Sequence, residues 1–207
     1  VEYNKNPINK LLVSGSCTSK RDKSNGILMY PNRDIMIEKS KLNINIDYLK
    51  RPYLKDKNDI NDNDFFGKKY IKLLSNYRVC FTDDANKNRP YIVAKFFEIM
   101  SSGALLLTTN KNTKKYFKNL GFYDEIDYIS TTIDKIDEKI EFILDEKNKK
   151  LIDKIRKSGY DKVYKYNYMD KIINQFDEIF LGKLDNFTLY NDGINGTKYF
   201  LYNSKKI

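Results

Sequence analysis

YRVCFTDDANKNRPYIVAKFFEIMSSGALLLTT (77–109) is the stretch that decides the fold. RVCFTD (78–83) is a short apolar, aromatic run of the kind that makes a buried strand. A polar loop follows, and from Pro90 to Ser102 the apolar residues return at helical spacing, with proline at the expected helix start. GALLLTT (103–109) is then too apolar and too short for anything but a buried strand. Strand, helix and strand in immediate succession imply two parallel strands joined by a crossover. One acid interrupts the helix: Glu98, set between Phe97 and Ile99. An acid in such a run calls for a partner or a task.

The same alternation extends outward. INKLLVSG (8–15) predicts a strand, YPNRDIMIEKSK (30–41) a helix, and INIDYL (44–49) a strand stopped by the Arg51–Pro52 step. DNDFFGKKYIKLLSNY (62–77) places Phe65, Phe66, Tyr70, Leu73 and Leu74 on one helical face. Downstream, NTKKYFKNL (112–120) is a helix closed by Gly121, DYIST (127–131) a strand, and IDKIDEKIEFIL (133–144), 147–165 and 168–181 are helices. The expected fold is α/β: a doubly wound, Rossmann-like parallel sheet over residues 1–181 with flanking and C-terminal helices. Residues 182–207 break the pattern; NFTLY and KYFLY around NDGING predict a terminal β-hairpin that covers an edge or begins a further segment.

Composition removes several kinds of chemistry. The chain has 207 residues and no histidine, so histidine acid/base work is excluded, and Cys17 and Cys80 have neither disulfide nor zinc spacing. The net charge of +10 is lysine spread along a chain also rich in Asn, Ile, Tyr, Asp and Phe. These types share AT-rich codons, so the bias is expected from an AT-rich genome, such as that of a large DNA virus, rather than from nucleic-acid binding. No apolar run approaches the ~20 residues of a membrane span. A protein of the cytoplasm, the host's if viral, is the expectation. The first residue is Val rather than Met, which suggests a processed product or a piece of something longer.

In a sheet of this kind ligands bind at the carboxyl ends of the strands. The loops to examine are therefore 14–33, 83–90 and 108–112; none holds a Walker or GxGxxG pattern.

At these residues the sequence resembles a family. Residues 77–109, followed by KSGYDKVYKYNYMDKIINQF (157–176), look like the donor-binding, C-terminal lobe of two-lobed GT-B glycosyltransferases of group 1, and most of all their spore-maturation-type members. Lys95, Phe97-Glu98, Ser102-Gly103 and Leu105 to Leu107 match that pattern, and LLVSGSCTS…YPNR (11–33) is similar to the lobe's first strand and loop. The resemblance implies a hexosyltransferase-like enzyme that takes a nucleoside diphosphate sugar and passes the sugar to a hydroxyl of a saccharide or protein acceptor. It implies a second, N-terminal acceptor lobe outside this chain, and no metal or other cofactor.

It also implies a donor site. Glu98 would accept the two ribose hydroxyls, a use that suits a carboxylate facing a vicinal diol. A salt bridge to Lys95 one turn earlier is the plain alternative. Backbone N–H groups at Tyr91, Ile92 and Val93 would meet the diphosphate at the helix start, with Arg33 and Lys95 as the cations. Ser14, Gly15, Ser16 and Thr109, at strand ends, complete the set. No catalytic residue stands out. Many members of the family carry a further acid ahead of this glutamate with seven residues between; here that position is Pro90, and Asp83 and Asp84 are the nearby substitutes or loop caps. That departure keeps open a non-catalytic nucleotide-sugar-binding or assembly module, and more remotely a nucleic-acid-binding α/β domain.

Overall fold

The computed structural model describes residues 1–15, 30–50, 67–83, 94–109 and 114–165, together with two short strands at 187–191 and 198–202. It divides into two compact units, Val1–Lys165 and Tyr166–Ile207. In the first, β1 (Ile8–Gly15), β2 (Ile46–Lys50), β3 (Tyr77–Phe81), β4 (Leu105–Thr108) and β5 (Ile129–Ser130) form one sheet. Its order is β2-β1-β3-β4-β5 and every pairing is parallel. The helices between strands are α1 (Pro31–Ser40), α2 (Gly67–Leu74), α3 (Ala94–Ser102) and α4 (Lys114–Asn119). After β5 come α5 (Ile136–Leu144) and α6 (Lys149–Lys165), each entered through a turn of 3-10 helix. This is the doubly wound arrangement expected. β2 starts two residues later than the sequence pattern predicts, because Asn43 turns back and accepts the Asn45 N–H through its side chain (2.9 Å). The expected helix over 168–181 lies outside the described residues.

The two faces of the sheet can be assigned residue by residue. Leu11, Val13, Val79, Phe81, Leu105, Leu107 and Ile129 face one way, onto Met36 of α1 and the apolar sides of α5 and α6. Leu12, Cys80, Leu106 and Tyr128 face the other way, onto α2, α3 and α4. Period-two alternation with both sets buried is why these strands read as unbroken apolar runs. Each such Leu or Phe contributes about 1.5–3 kcal/mol of burial, which secures the register. At the other end of the domain, buried Arg156 on α6 donates to the Gly103 carbonyl (3.1 Å) and the Asn4 carbonyl (3.2 Å), tying the N-terminal segment down. In the second unit β6 (Phe187–Asn191) and β7 (Lys198–Tyr202) pair antiparallel, the hairpin pattern of the sequence. No described helix is long and apolar enough to cross a membrane.

The sheet's amino edge carries a pH dependence. Tyr77 donates to Asp47 Oδ2 (3.1 Å), and burial first, then that carboxylate, pushes its phenol up to about 12. A phenol held neutral in the folded state contributes stability that is complete below its ordinary value near 10 and is lost as pH rises toward 12. The melting temperature is therefore expected to fall over this window, and less steeply in Tyr77→Phe. Parallel slopes in the two proteins would count against the assignment.

Candidate functional site

In the strand order β2-β1-β3-β4-β5 the winding direction reverses between β1 and β3, and the crevice of such a sheet opens outside the carboxyl ends of those two strands. β1 ends there in Ser14 and Gly15, and β3 runs out into Thr82 and Asp83. Because α1 and α3 follow parallel strands, each begins at this same edge.

On one face, α1 lays its first turn across the strand ends. Asn32 donates to Thr109 Oγ1 beyond β4 (2.7 Å). Arg33 donates from Nη2 to Thr82 Oγ1 (2.9 Å) and stands 3.6 Å from Asp83 Oδ1, while its backbone N–H donates to Asp83 Oδ2 (3.2 Å). Tyr30, at the N-cap position, supplies no side-chain cap, so Asp83 reaches across from β3 to serve that end of the helix. The guanidinium lies 4.2 Å over the Tyr30 ring and against Gly15. Gly15 has φ +113°, and a Cβ there would stand 3.2 Å from Arg33 Nη1, so glycine serves both the turn and the close approach. Arg33 and Asp83 are 3% and 1% exposed.

On the other face a chain of contacts runs outward from β1. Ser14 Oγ and Tyr70 Oη of α2 share a buried hydrogen bond of 2.6 Å. Lys95 Nζ of α3 sits 3.8 Å above the Tyr70 ring and 2.8 Å from Glu98 Oε2. Burial raises the Tyr70 phenol well above its ordinary value, so it stays a neutral partner to Ser14. The Lys95–Glu98 bridge forms, and the Glu98 side chain remains 38% exposed. A bridged carboxylate keeps acceptor sites for a ligand.

The structure thus brings Ser14, Gly15, Arg33, Lys95, Glu98 and Thr109 to one edge of the sheet. Ser16, Tyr91, Ile92, Val93, Pro90 and Asp84 lie outside the described residues. Sequence reasoning missed Tyr70, Asn32 and Thr82. Tyr70 reads as one more core aromatic on its helical face, and Asn32 sat unremarked inside YPNR. Both are polar groups at positions where an apolar residue would pack as well, the one signal that could have found them.

No family model matches the sequence, and no curated protein matches it. Among solved structures, the chain is similar to the C-terminal domain of a glycosyl transferase group 1 family protein, LpcC, from Francisella tularensis, at 14% identity and TM-score 0.43 over 72% of this chain and 65% of that one. It is similar to Anabaena Alr3699/HepE in complex with UDP and glucose, at 12% identity and TM-score 0.50 over 84% of this chain and 40% of that one. It is also similar to the pneumococcal O-GlcNAc transferase GtfA in complex with UDP and GlcNAc, at 13% identity and TM-score 0.46 over 89% of this chain and 38% of that one. This chain therefore spans under two thirds of each of them. The Anabaena likeness bears on the fold alone, and it agrees with the doubly wound α/β sheet described above.

Proposed function

We propose that this chain is the donor-binding lobe of a glycosyltransferase, holding a nucleoside diphosphate sugar across the carboxyl ends of β1 and β3 for transfer of the sugar to an acceptor hydroxyl. The observation that carries the reading is the position of Glu98. An accessible carboxylate stands midway along α3, the helix that begins at the switch-point edge, braced by Lys95 on the Tyr70 ring. In this reading Glu98 accepts the ribose hydroxyls, and the diphosphate lies toward Gly15 and the start of α3; the amides of Tyr91, Ile92 and Val93, which precede α3 in the chain and lie outside the described residues, are its proposed partners. Arg33 acts from beneath through its field, and Lys95 supplies a second positive charge, so departure of the diphosphate is assisted by fixed cations and dipoles rather than by a divalent ion. The acceptor is held by a lobe outside this chain.

Binding without transfer is the second reading, and one observation favours it. Asp83, one of the two candidate replacements for the acid that Pro90 displaces, is committed to Arg33 and to the amide of α1. Multiple-turnover transfer to any acceptor would eliminate this alternative.

Thermal-shift screening against UDP, GDP, TDP and their sugars tests the reading as a whole; a ligand at 100 times its dissociation constant adds about 2.7 kcal/mol of stability. Glu98→Gln tests the residue. Hydrogen bonds to a charged group are worth about 1.5–3 kcal/mol, so the substitution is expected to weaken the nucleotide roughly 10- to 150-fold. A nucleotide lacking both ribose hydroxyls is expected to bind weakly and to be indifferent to it. Unchanged affinity with a stability shift of a few tenths of a kcal/mol would reduce Glu98 to the surface partner of Lys95.

A further inference from the structure

Tyr70 stands between the two charged ends of the strand-end crevice. It is buried in the cluster with Leu12, Leu74 and Phe96, where a phenylalanine would pack as well. Two of its contacts go beyond what packing requires. Its Oη shares the 2.6 Å bond with Ser14 Oγ, and the next residue, Gly15, lies against the Arg33 guanidinium. The face of its ring lies 3.8 Å from Lys95 Nζ, and Lys95 in turn reaches Glu98 Oε2 at 2.8 Å. Burial above all keeps the phenol neutral, and the charges of both Glu98 and Arg33 reach it, the first raising and the second lowering its titration. A lysine ammonium on its four-carbon stem is mobile unless something fixes it. A ring face at this distance attracts the ammonium and keeps it beside Glu98 rather than in solvent. The hydroxyl in the same way fixes Ser14, and with it the position of Gly15.

From this arrangement we infer that Tyr70 is a positioning residue for the nucleotide, its ring placing Glu98 through Lys95 on the ribose side and its hydroxyl placing the end of β1 through Ser14 on the phosphate side. The role rests on the nucleotide reading of the β1–β3 edge. Its two halves use different atoms of one side chain, so they can be removed one at a time.

Calorimetric titration of the full chain and its variants with whichever of UDP, GDP and TDP binds, and with the matching nucleoside, tests the role. Tyr70→Phe keeps the ring and loses the hydroxyl; it is expected to weaken the diphosphate about tenfold and the nucleoside no more than about twofold. Tyr70→Leu removes the ring as well and is expected to weaken both about tenfold or more. Tyr128→Phe takes a buried hydroxyl from the same cluster, one without a hydrogen-bond partner among the described residues, and is expected to leave both affinities within about twofold. Equal losses of diphosphate and nucleoside in Tyr70→Phe, or the same losses in Tyr128→Phe, would reduce Tyr70 to a packing residue. Proton NMR of Lys95 supplies a readout that needs no ligand. Its εCH2 signals, identified by their absence from Lys95→Arg, are expected upfield of those of exposed lysines in wild type and in Tyr70→Phe, and at the ordinary position in Tyr70→Leu. Signals that Tyr70→Leu leaves unmoved overturn the role while nucleotide binding persists; if none of the nucleotides binds, the reading of the edge fails and the role fails with it. Should Tyr70→Leu unfold the chain, Tyr70→Met carries the same comparison.

Discussion

Replacing Gly159 with alanine is expected to destabilise the first unit by about 3 kcal/mol, which for a domain of this size lowers the melting temperature by about 6–12 °C. In isolation the change would help, since alanine is the better helix former by about 1 kcal/mol. Packing decides otherwise. A Cβ on Gly159 would stand 2.3 Å from the Asp127 carbonyl oxygen and 3.5 Å from Met100 Cγ. The obstacle is backbone, and it cannot retreat, because Asp127 is tied to α6 on both sides of the contact. Its carboxylate accepts from Ser158 Oγ (2.7 Å) and Lys162 Nζ (2.6 Å), and from the Tyr123 N–H (2.8 Å). Either α6 moves off the Asp127 carbonyl or those hydrogen bonds break. A melting temperature that holds or rises would mean that helix propensity outweighs packing and that the close approach of α6 to the Asp127 carbonyl is wrong.

Gly159 also marks where the sequence stops being legible. The pattern KSGYDKV reads as helix with a tolerated glycine, and nothing local to it announces a carbonyl from 127 pressed against position 159. The elements themselves were legible because each strand is buried on both faces and each helix carries one apolar side, so Leu105 to Leu107 and Ile140 to Ile143 declare their state through composition and period alone. Strand order was not legible, since period and length say nothing about which parallel strands are neighbours. The site divides in the same way. Lys95 and Glu98 are three residues apart on a helix, and their pairing could be read directly. Arg33 and Asp83 are as close in space but 50 positions apart in the chain. Their partnership depends on the reversal of winding between β1 and β3, which only the assembled sheet supplies.

Asp83→Ala is expected to cost about 3–5 kcal/mol, because it withdraws a carboxylate from a buried guanidinium. The side chains of Arg33 and Asp83 are 4% and 2% exposed. The same carboxylate receives the Arg33 N–H in the first turn of α1, so Asp83→Asn, which keeps an acceptor oxygen and loses the charge, is expected to lie between wild type and alanine. Arg33→Met in the Asp83→Ala background removes the guanidinium that has lost this carboxylate and fills part of its volume. The double substitution is therefore expected to be more stable than Asp83→Ala alone, a coupling that chemical denaturation of the four proteins would measure. Two independent losses that simply add would show that the pair contributes nothing as a pair. The same double variant separates folding from ligand binding at the strand ends. If it is folded and has lost nucleoside diphosphate but kept the bare nucleoside, Arg33 acts on phosphate. If it binds both as wild type does, Arg33 serves only to fasten α1 over β3.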